Sequence, residues 1–326
     1  MLNRRQTLGA AIGAIAASNA PSAKAATLDK IVHVIVGFPA GGGTDIVARV
    51  LAQALQGDYA ASIVVEDRPG ASARLAVEYV KNAPPDGSVM LFTPDFPLTL
   101  YPSSFKSLKY DPLKDFIAVG PAAKGLLVLV VGPAVPASVK TLKDFLAWCK
   151  ANPDKANVAD TSAGATPHFT TVMLAQEAKV TLTPVHYRGG APAMEDLIGG
   201  HVPASVNPVS EVMAFAKAGK IRALAVTGEQ RTPFMAEVPT MKEQGFNVVV
   251  ESLSGAFVPA KTPGPVVTAL NAAMRKASAS KQMIDSLAKF GTEPATMTTP
   301  AFTAWIKEEI ARWQPVVKAS GFKALE

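Results

Sequence analysis

One cysteine, Cys149, is all the thiol chemistry in 326 residues, so no disulfide can form within the chain. Cys149 stands in LKDFLAWCK, residues 142–150, where the spacing predicts a helix with an apolar face and a buried, inert thiol. Histidine is scarce as well. His33, His168, His186 and His201 show no pairing at metal-ligand spacing, and neither a metal nor another cofactor is expected. Aromatic residues make up 7% of the chain and no lysine and arginine stripe interleaves with them, which excludes a base-stacking platform. Charge of one sign is also lacking. The formal charge of +6 includes Arg4, Arg5 and Lys24; without them 29 basic residues face 26 acidic ones, too small an excess for a nucleic-acid partner. No apolar run reaches the roughly 20 residues a bilayer requires. The stretch over 8–17 is too short, and the one over 125–137 is broken by Pro133 and Pro136.

What is present begins with an export signal. Arg4 and Arg5 precede the apolar stretch, Ala23-Lys24-Ala25 supplies a cleavage site before Ala26, and no acidic residue comes before Asp29. The arginine pair resembles a twin-arginine signal, whereas Thr7 stands where a larger apolar residue is usual, so the twin-arginine and general secretory routes are both open. With 48% hydrophobic residues, the mature chain is long and apolar enough for two cores.

The densest information lies in IVHVIVGFPAGGGTDIVAR, residues 31–49. Ile31, Val32, Val34, Ile35 and Val36 form a β-branched run that reads as a core strand. Pro39 and Gly41 to Gly43 stop it, and a helix carrying Ile46, Val47, Val50 and Leu51 follows, with Thr44 or Asp45 as its cap. A helix amino terminus behind a glycine loop presents free N–H groups to an anion. Nucleotide fingerprints fail here: a dinucleotide loop starting at Gly41 would need glycine at Ile46, and a P-loop starting at Gly37 would need lysine at Gly43. A nucleophile elbow is approached only over residues 70–74, where Arg74 replaces its last glycine. The loop therefore suits a small carboxylate.

Strand and helix patterns alternate onward. Strands are expected at 62–66, 88–93, 117–122, 126–131, 157–159 and 221–227, and helices at 72–82, from Thr141, near 240–244 and at 300–318. The last helix places Phe302, Trp305, Ile306, Ile310 and Trp313 on one face, as core. The two strands flanking 123–125 suit a crossing between domains. A second glycine-bearing loop, Thr161-Ser162-Ala163-Gly164-Ala165-Thr166, also opens a helix, with Thr166 as cap and Pro167 in the first turn. Two such loops at the carboxyl ends of open α/β sheets would face each other across a cleft.

The chain resembles the Bug-type substrate-binding proteins of tripartite tricarboxylate transporters. The resemblance rests on FPAGGGTDIVAR at 38–49, VVEDRPGAS at 64–72, PPDGSVMLF at 84–92 and YDPLKDFIAVGP at 110–121. It continues in TSAGATPHF at 161–169, VHYRGGAPAMEDLIGGHV at 185–202, GKIRALAVTGEQR at 219–231, VPTMKEQG at 238–245 and FVPAKTPGPVV at 257–267.

That resemblance implies an α/β, type II-like periplasmic binding protein in which each of two domains is a mixed sheet flanked by helices, with the ligand cleft between them. Residues 26–123 and 253–326 would form one domain and 124–252 the other. It implies a monomer that is not an enzyme and that captures a small-molecule carboxylate for membrane transporter subunits, or, in a variant of the family, for a sensor protein. A secreted enzyme using the same cleft is the alternative from another class, against which stands the lack of a paired acid and base, nucleophile or metal set.

Carried onto this sequence, the first clamp is Phe38, Pro39, Ala40, Gly41, Gly42, Gly43, Thr44 and Asp45, and the second is Thr161, Ser162, Ala163, Gly164, Ala165, Thr166 and His168. Tyr187 and Asn207 are placed with them. Several charge-assisted hydrogen bonds of about 1.5–3 kcal/mol each would reach the roughly 8 kcal/mol of micromolar binding. Asp45 can cap its helix or meet ligand, with Arg49 one turn on placed to pair with it, and His168 can face the cleft or pack under its loop. Three stretches depart from the family pattern: Thr93-Pro94-Asp95-Phe96-Pro97, Ser72-Ala73-Arg74 and Leu253-Ser254-Gly255. Asp95, just past a strand end, is expected to meet a polar or cationic ligand group, or to exclude a second carboxylate.

Overall fold

The alternation of apolar side chains along each strand decides which core it feeds. The computed structural model describes residues 28–325, so the export signal and its cleavage after Ala25 lie outside the described residues. The chain opens with β1 (Val32–Val36), α1 (Gly43–Leu55), β2 (Ile63–Asp67), α2 (Arg74–Lys81) and β3 (Val89–Pro94). Two single-turn helices, α3 (Phe96–Thr99) and α4 (Tyr101–Ser104), lead to β4 (Phe116–Val131). Then come α5 (Leu142–Ala151), β5 (Asn157–Asp160), α6 (Thr166–Ala178), β6 (Thr183–His186), α7 (Gly190–Ile198), β7 (Ala204–Pro208), α8 (Val209–Lys217) and β8 (Arg222–Val226). The chain closes with β9 (Glu251–Pro259), α9 (Gly264–Ser278), α10 (Lys281–Ala288), β10 (Glu293–Pro294) and α11 (Thr299–Ala319).

In β1, Val32, Val34 and Val36 pack with α1, α9 and α10 on one side of the sheet, while Ile35 packs with α2 and the start of α11 on the other. In the second half of β4, Leu127, Leu129 and Val131 meet α5 and α6, whereas Val128 and Val130 meet α7 and α8. Each fully buried valine or leucine contributes about 1.5–3 kcal/mol, so this strict alternation pins the register. Cys149 is buried in the α5 side of this core.

The strands follow the order β2-β1-β3-β9-β4-β7-β5-β6, with β8 and β10 also paired to β4. β1 is parallel to β2 and β3, and β5 is parallel to β6 and β7, while β9 is antiparallel to its neighbours. The crossing expected as two strands is one continuous strand of 16 residues, β4. Its apparent breakers are absorbed in place: the register shifts between Ala118 and Gly120 and again between Pro121 and Ala123, and bulges tolerate proline and glycine. β4 pairs with β9 up to Leu126 in a first lobe, then with β7 and β8 from Leu127 in a second.

Two more crossings complete the link. The chain returns before Glu251, and α11 begins with Phe302 and Ile306 in the first lobe's core and ends with Trp313 and Val317 in the second's. Arg312 of α11 donates to the backbone carbonyl of Val249 at the return crossing. Pro315 sits inside the helix. The helix expected near 240–244 is a set of turns instead. Thr240 and Glu243 form the reciprocal bonds of a capping box, at 2.9 and 2.6 Å, but Gly245 adopts a positive φ of 91° and the coil goes no further.

Candidate functional site

Parallel strands aim their carboxyl ends at one edge of each lobe, and β4 crosses between those two edges. In the first lobe, β3 ends at Pro94 opposite Ser254 of β9, whose other neighbour is Ala123 of β4. In the second, Leu127 of β4 lies opposite Pro208, the last residue of β7. The loops after β1 and β5 therefore face each other across a cleft spanned by β4.

The first loop turns on Gly41, whose φ of 79° an L side chain rarely adopts. α1 starts at Gly43 behind Gly42, which offers no capping side chain, so Thr44 and Asp45 lie inside the helix and neither is the expected cap. The first helical bond runs from Ile46 N–H to the Gly42 carbonyl, leaving the amides of Gly43, Thr44 and Asp45 without intrahelical acceptors. Asp45 is buried and reaches back: one carboxylate oxygen accepts the Gly41 N–H at 2.7 Å and the other pairs with Arg49 Nε at 2.7 Å. Arg49 continues to Asp67 at 2.8 Å. Asp45 thus does not cap α1; its side chain shapes the loop through Gly41 and makes the expected pair with Arg49. Burial opposes its charge, yet the hydrogen bonds from Arg49 and Gly41 hold its carboxyl below the usual range. Burial and the neighbouring Asp45 charge push Asp67 the other way.

The second loop repeats the plan. Gly164 has a φ of 74°, and α6 begins behind Ala165 without a side-chain cap. Thr166 is the first helical residue and its hydroxyl is buried without a hydrogen-bond partner, so it does not cap as expected. His168 packs beneath the loop. Its Nδ1 accepts the Gly164 N–H at 3.1 Å, and its ring lies 4.7 Å from Phe169 and 5.1 Å from Phe322. Burial, followed by the charge of His186, pushes His168 down to about 4, so it is neutral with its proton on Nε2. Under Ser162, the carboxylate of Asp160 accepts the Ser162 N–H at 3.1 Å and meets His186 Nδ1 at 2.8 Å. Burial raises the Asp160 carboxyl, and the bond to Asp160 raises His186.

Each loop touches the opposite lobe across the cleft. Ser72 and Ser162 hydroxyls lie 3.5 Å apart, and Ser104 donates to the Gly164 carbonyl at 3.2 Å. A Cβ on Gly43 would lie 3.4 Å from Ser210 Oγ in α8. Ser72 belongs to a run, Ala71, Ser72 and Ala73, with φ values of 46°, 53° and 70°. Phe38 packs edge-on to Phe96 at 5.9 Å, as a wall beside the first loop.

Asp95 does not face the cleft, contrary to expectation. It is fully buried, its Oδ1 accepts the Ser252 hydroxyl at 2.6 Å, and its Oδ2 accepts that of Thr99 at 3.3 Å. Burial pushes this carboxyl up to about 7. Tyr187 follows β6 at the cleft edge, and its hydroxyl donates to Asp196 at 2.7 Å. Asn207, one residue before the end of β7, has its Oδ1 buried and unpartnered, while its amide donates to Ser205 Oγ at 2.7 Å. Glu211, in the first turn of α8, was not anticipated. Its Oε2 is also buried without a partner, and burial pushes the carboxyl up to about 7. In sequence it looks like an acidic residue at a helix start, which is ordinarily solvated. No group of three or more histidine, cysteine or acidic side chains among the described residues is placed to hold a metal.

The family profile described as tripartite tricarboxylate transporter family receptor matches residues 47–322. Protein BugT of Bordetella pertussis is 31% identical over 294 residues, 90% of each chain. Among solved structures, the periplasmic binding protein BugD superposes with a TM-score of 0.81 at 29% identity, covering 90% of this chain and 98% of BugD. An R. palustris protein solved with adipate gives 0.83 at 29% identity, covering 89% and 97% of the two chains. MatC of Rhodopseudomonas palustris, solved with malate, gives 0.79 at 28%, covering 88% and 98%.

Proposed function

Because this chain belongs to the tripartite tricarboxylate transporter receptor family, we propose that it captures a small organic acid in the cleft between its lobes, the two glycine loops holding one carboxylate. Its fold is the mixed α/β fold of the periplasmic binding proteins. The observation that carries the proposal is the pairing of two uncapped helix starts, α1 behind Gly41 and α6 behind Gly164, at facing sheet edges. Backbone amides there offer donors and the positive ends of two helix dipoles, which suit an anion of small size. Relatives of the same fold hold adipate and malate, and both are carboxylates.

Within this proposal the lobes correspond to residues 26–123 with 253–326, and 124–252, with α11 packed on both. The mature monomer, exported by the signal ending at Ala25, delivers its solute to membrane transporter subunits. It acts as a receptor rather than a catalyst: Ser162 Oγ lies against the Ala163 carbonyl and Ser72, not against the imidazole of the Asp160–His186 pair. Native mass spectrometry of the purified mature protein, followed by release of whatever is bound, tests the reading. A retained organic acid is expected; failing that, a carboxylic acid raises the melting temperature in a thermal-shift panel. A protein that is empty and shifted by no carboxylic acid overturns it.

A further inference from the structure

We propose that Glu211 receives a protonated amine of the ligand, so that the captured solute is a small zwitterion of amino acid type, its carboxylate on the two loops and its ammonium on Glu211. This rests on the carboxylate reading above and names the second group of the same ligand.

Glu211 lies where α8 starts, directly after the carboxyl end of β7, and its neighbour Ser210 adjoins Gly43 of the opposite lobe. Its side chain fills the space that a Cβ on Gly190 would occupy, with Oε2 only 1.6 Å from that position. Gly190 is the first residue of α7, so the carboxyl is held between the starts of two helices at the cleft edge. No hydrogen bond or ion pair reaches Glu211 among the described residues, and Oε2 is out of contact with solvent. The residue as a whole is part-exposed, but a carboxylate oxygen shut off from water in that state is costly unless a donor arrives.

A second acceptor points to the same kind of donor. Asn207 packs its amide nitrogen 3.8 Å from Met194 Sδ, one turn along α7 from Gly190. That nitrogen donates to Ser205, which leaves Asn207 Oδ1 buried with no donor. Two unpartnered acceptors on side chains that pack against α7 are matched by a group with several donors and a positive charge, which describes an ammonium. A second carboxylate placed there would meet a carboxyl and an amide oxygen, and neither is a donor while Glu211 is ionised. Burial pushes Glu211 up to about 7, and a bound cation would draw it back to the charged form.

The test uses purified mature protein and matched acids that differ only in the amine: aspartate against succinate, glutamate against glutarate, alanine against propionate. Calorimetry should show at least one amine-bearing member binding tenfold or more tightly than its partner. Glu211→Gln should weaken that member at least tenfold and strengthen the amine-free one. Gly190→Ala, which displaces the carboxyl but keeps its charge, should erode the same preference; circular dichroism checks that both variants are folded. Equal or tighter binding of the amine-free acids by the unmodified protein, or a preference that survives both substitutions, overturns the assignment. If neither series binds, this assignment is overturned, while the carboxylate reading stands or falls on the native mass spectrometry and the thermal-shift panel.

Discussion

Asp95 and Ser252 are joined by a 2.6 Å hydrogen bond between β9 and the start of α3, and this fixes the carboxyl inside the first lobe instead of in the cleft. With its folded value raised to about 7 from 3.8, the acid form is the one the fold favours. Its stabilising contribution is complete below the unfolded value and is lost as pH rises through 7. Asp95→Asn should therefore be more stable than the unmodified protein at pH 8, by about 1–3 kcal/mol, with little gain at pH 4. Urea unfolding at the two values checks it. The order in which acids are bound should not change.

His168 supplies the opposite slope. A neutral imidazole accepting the Gly164 N–H, with a folded value of about 4 against 6.5 unfolded, supports the fold above 6.5. As pH falls from 6.5 to 4 the unfolded chain takes up a proton that the native one refuses, and about 2–3 kcal/mol is lost. Comparing His168→Asn with the unmodified chain across that window isolates the effect. The variant should show a shallower loss by up to one proton's worth.

Asp45→Ala should damage binding and stability together. It leaves the Gly41 N–H without its acceptor and Arg49 with Asp67 alone. Because Arg49 is half exposed, the expected cost is about 1–3 kcal/mol, below that of a fully buried pair. Carboxylate affinity should fall more than tenfold as the loop amides lose their alignment, measured by calorimetry beside a denaturation curve.

Ala71→Gly should stabilise. Ala71 is exposed with a φ of 46°, a region that costs an L residue about 1–2 kcal/mol and glycine almost nothing. After the entropy of the added flexibility, a gain of about 0.5–1 kcal/mol should appear as a higher denaturation midpoint. An unchanged or lower midpoint would show that the left-handed run is not strained.

The parts of this molecule that local chemistry decides were legible in its sequence. β-branched runs stopped by glycine and proline gave β1, the loop at 37–42 and the start of α1 to within a residue or two, and the pattern Phe302 to Trp313 gave α11. What remained hidden depends on partners far along the chain. Lys124 and Gly125 look like a break between two strands, and only pairing with β9 makes them part of one. The capping box at Thr240 has the right letters for a helix that the fold does not continue. Asp95 becomes a core acid because of Ser252, 157 residues away. Glu211 can tuck its Oε2 against α7 because Gly190, on the preceding helix, has no side chain to exclude it.

The placement of α11 has a mechanical consequence. A helix anchored by Phe302 in one core and Trp313 in the other works as a splint across the joint, so the lobes cannot swing about the two neighbouring strands alone. Opening must flex the helix between Ile306 and Trp313, a stretch with no proline, because Pro315 lies beyond Trp313 on the second lobe's end of the helix. A stiff splint holds the two jaws near one another, which lowers the share of binding energy that shutting them consumes.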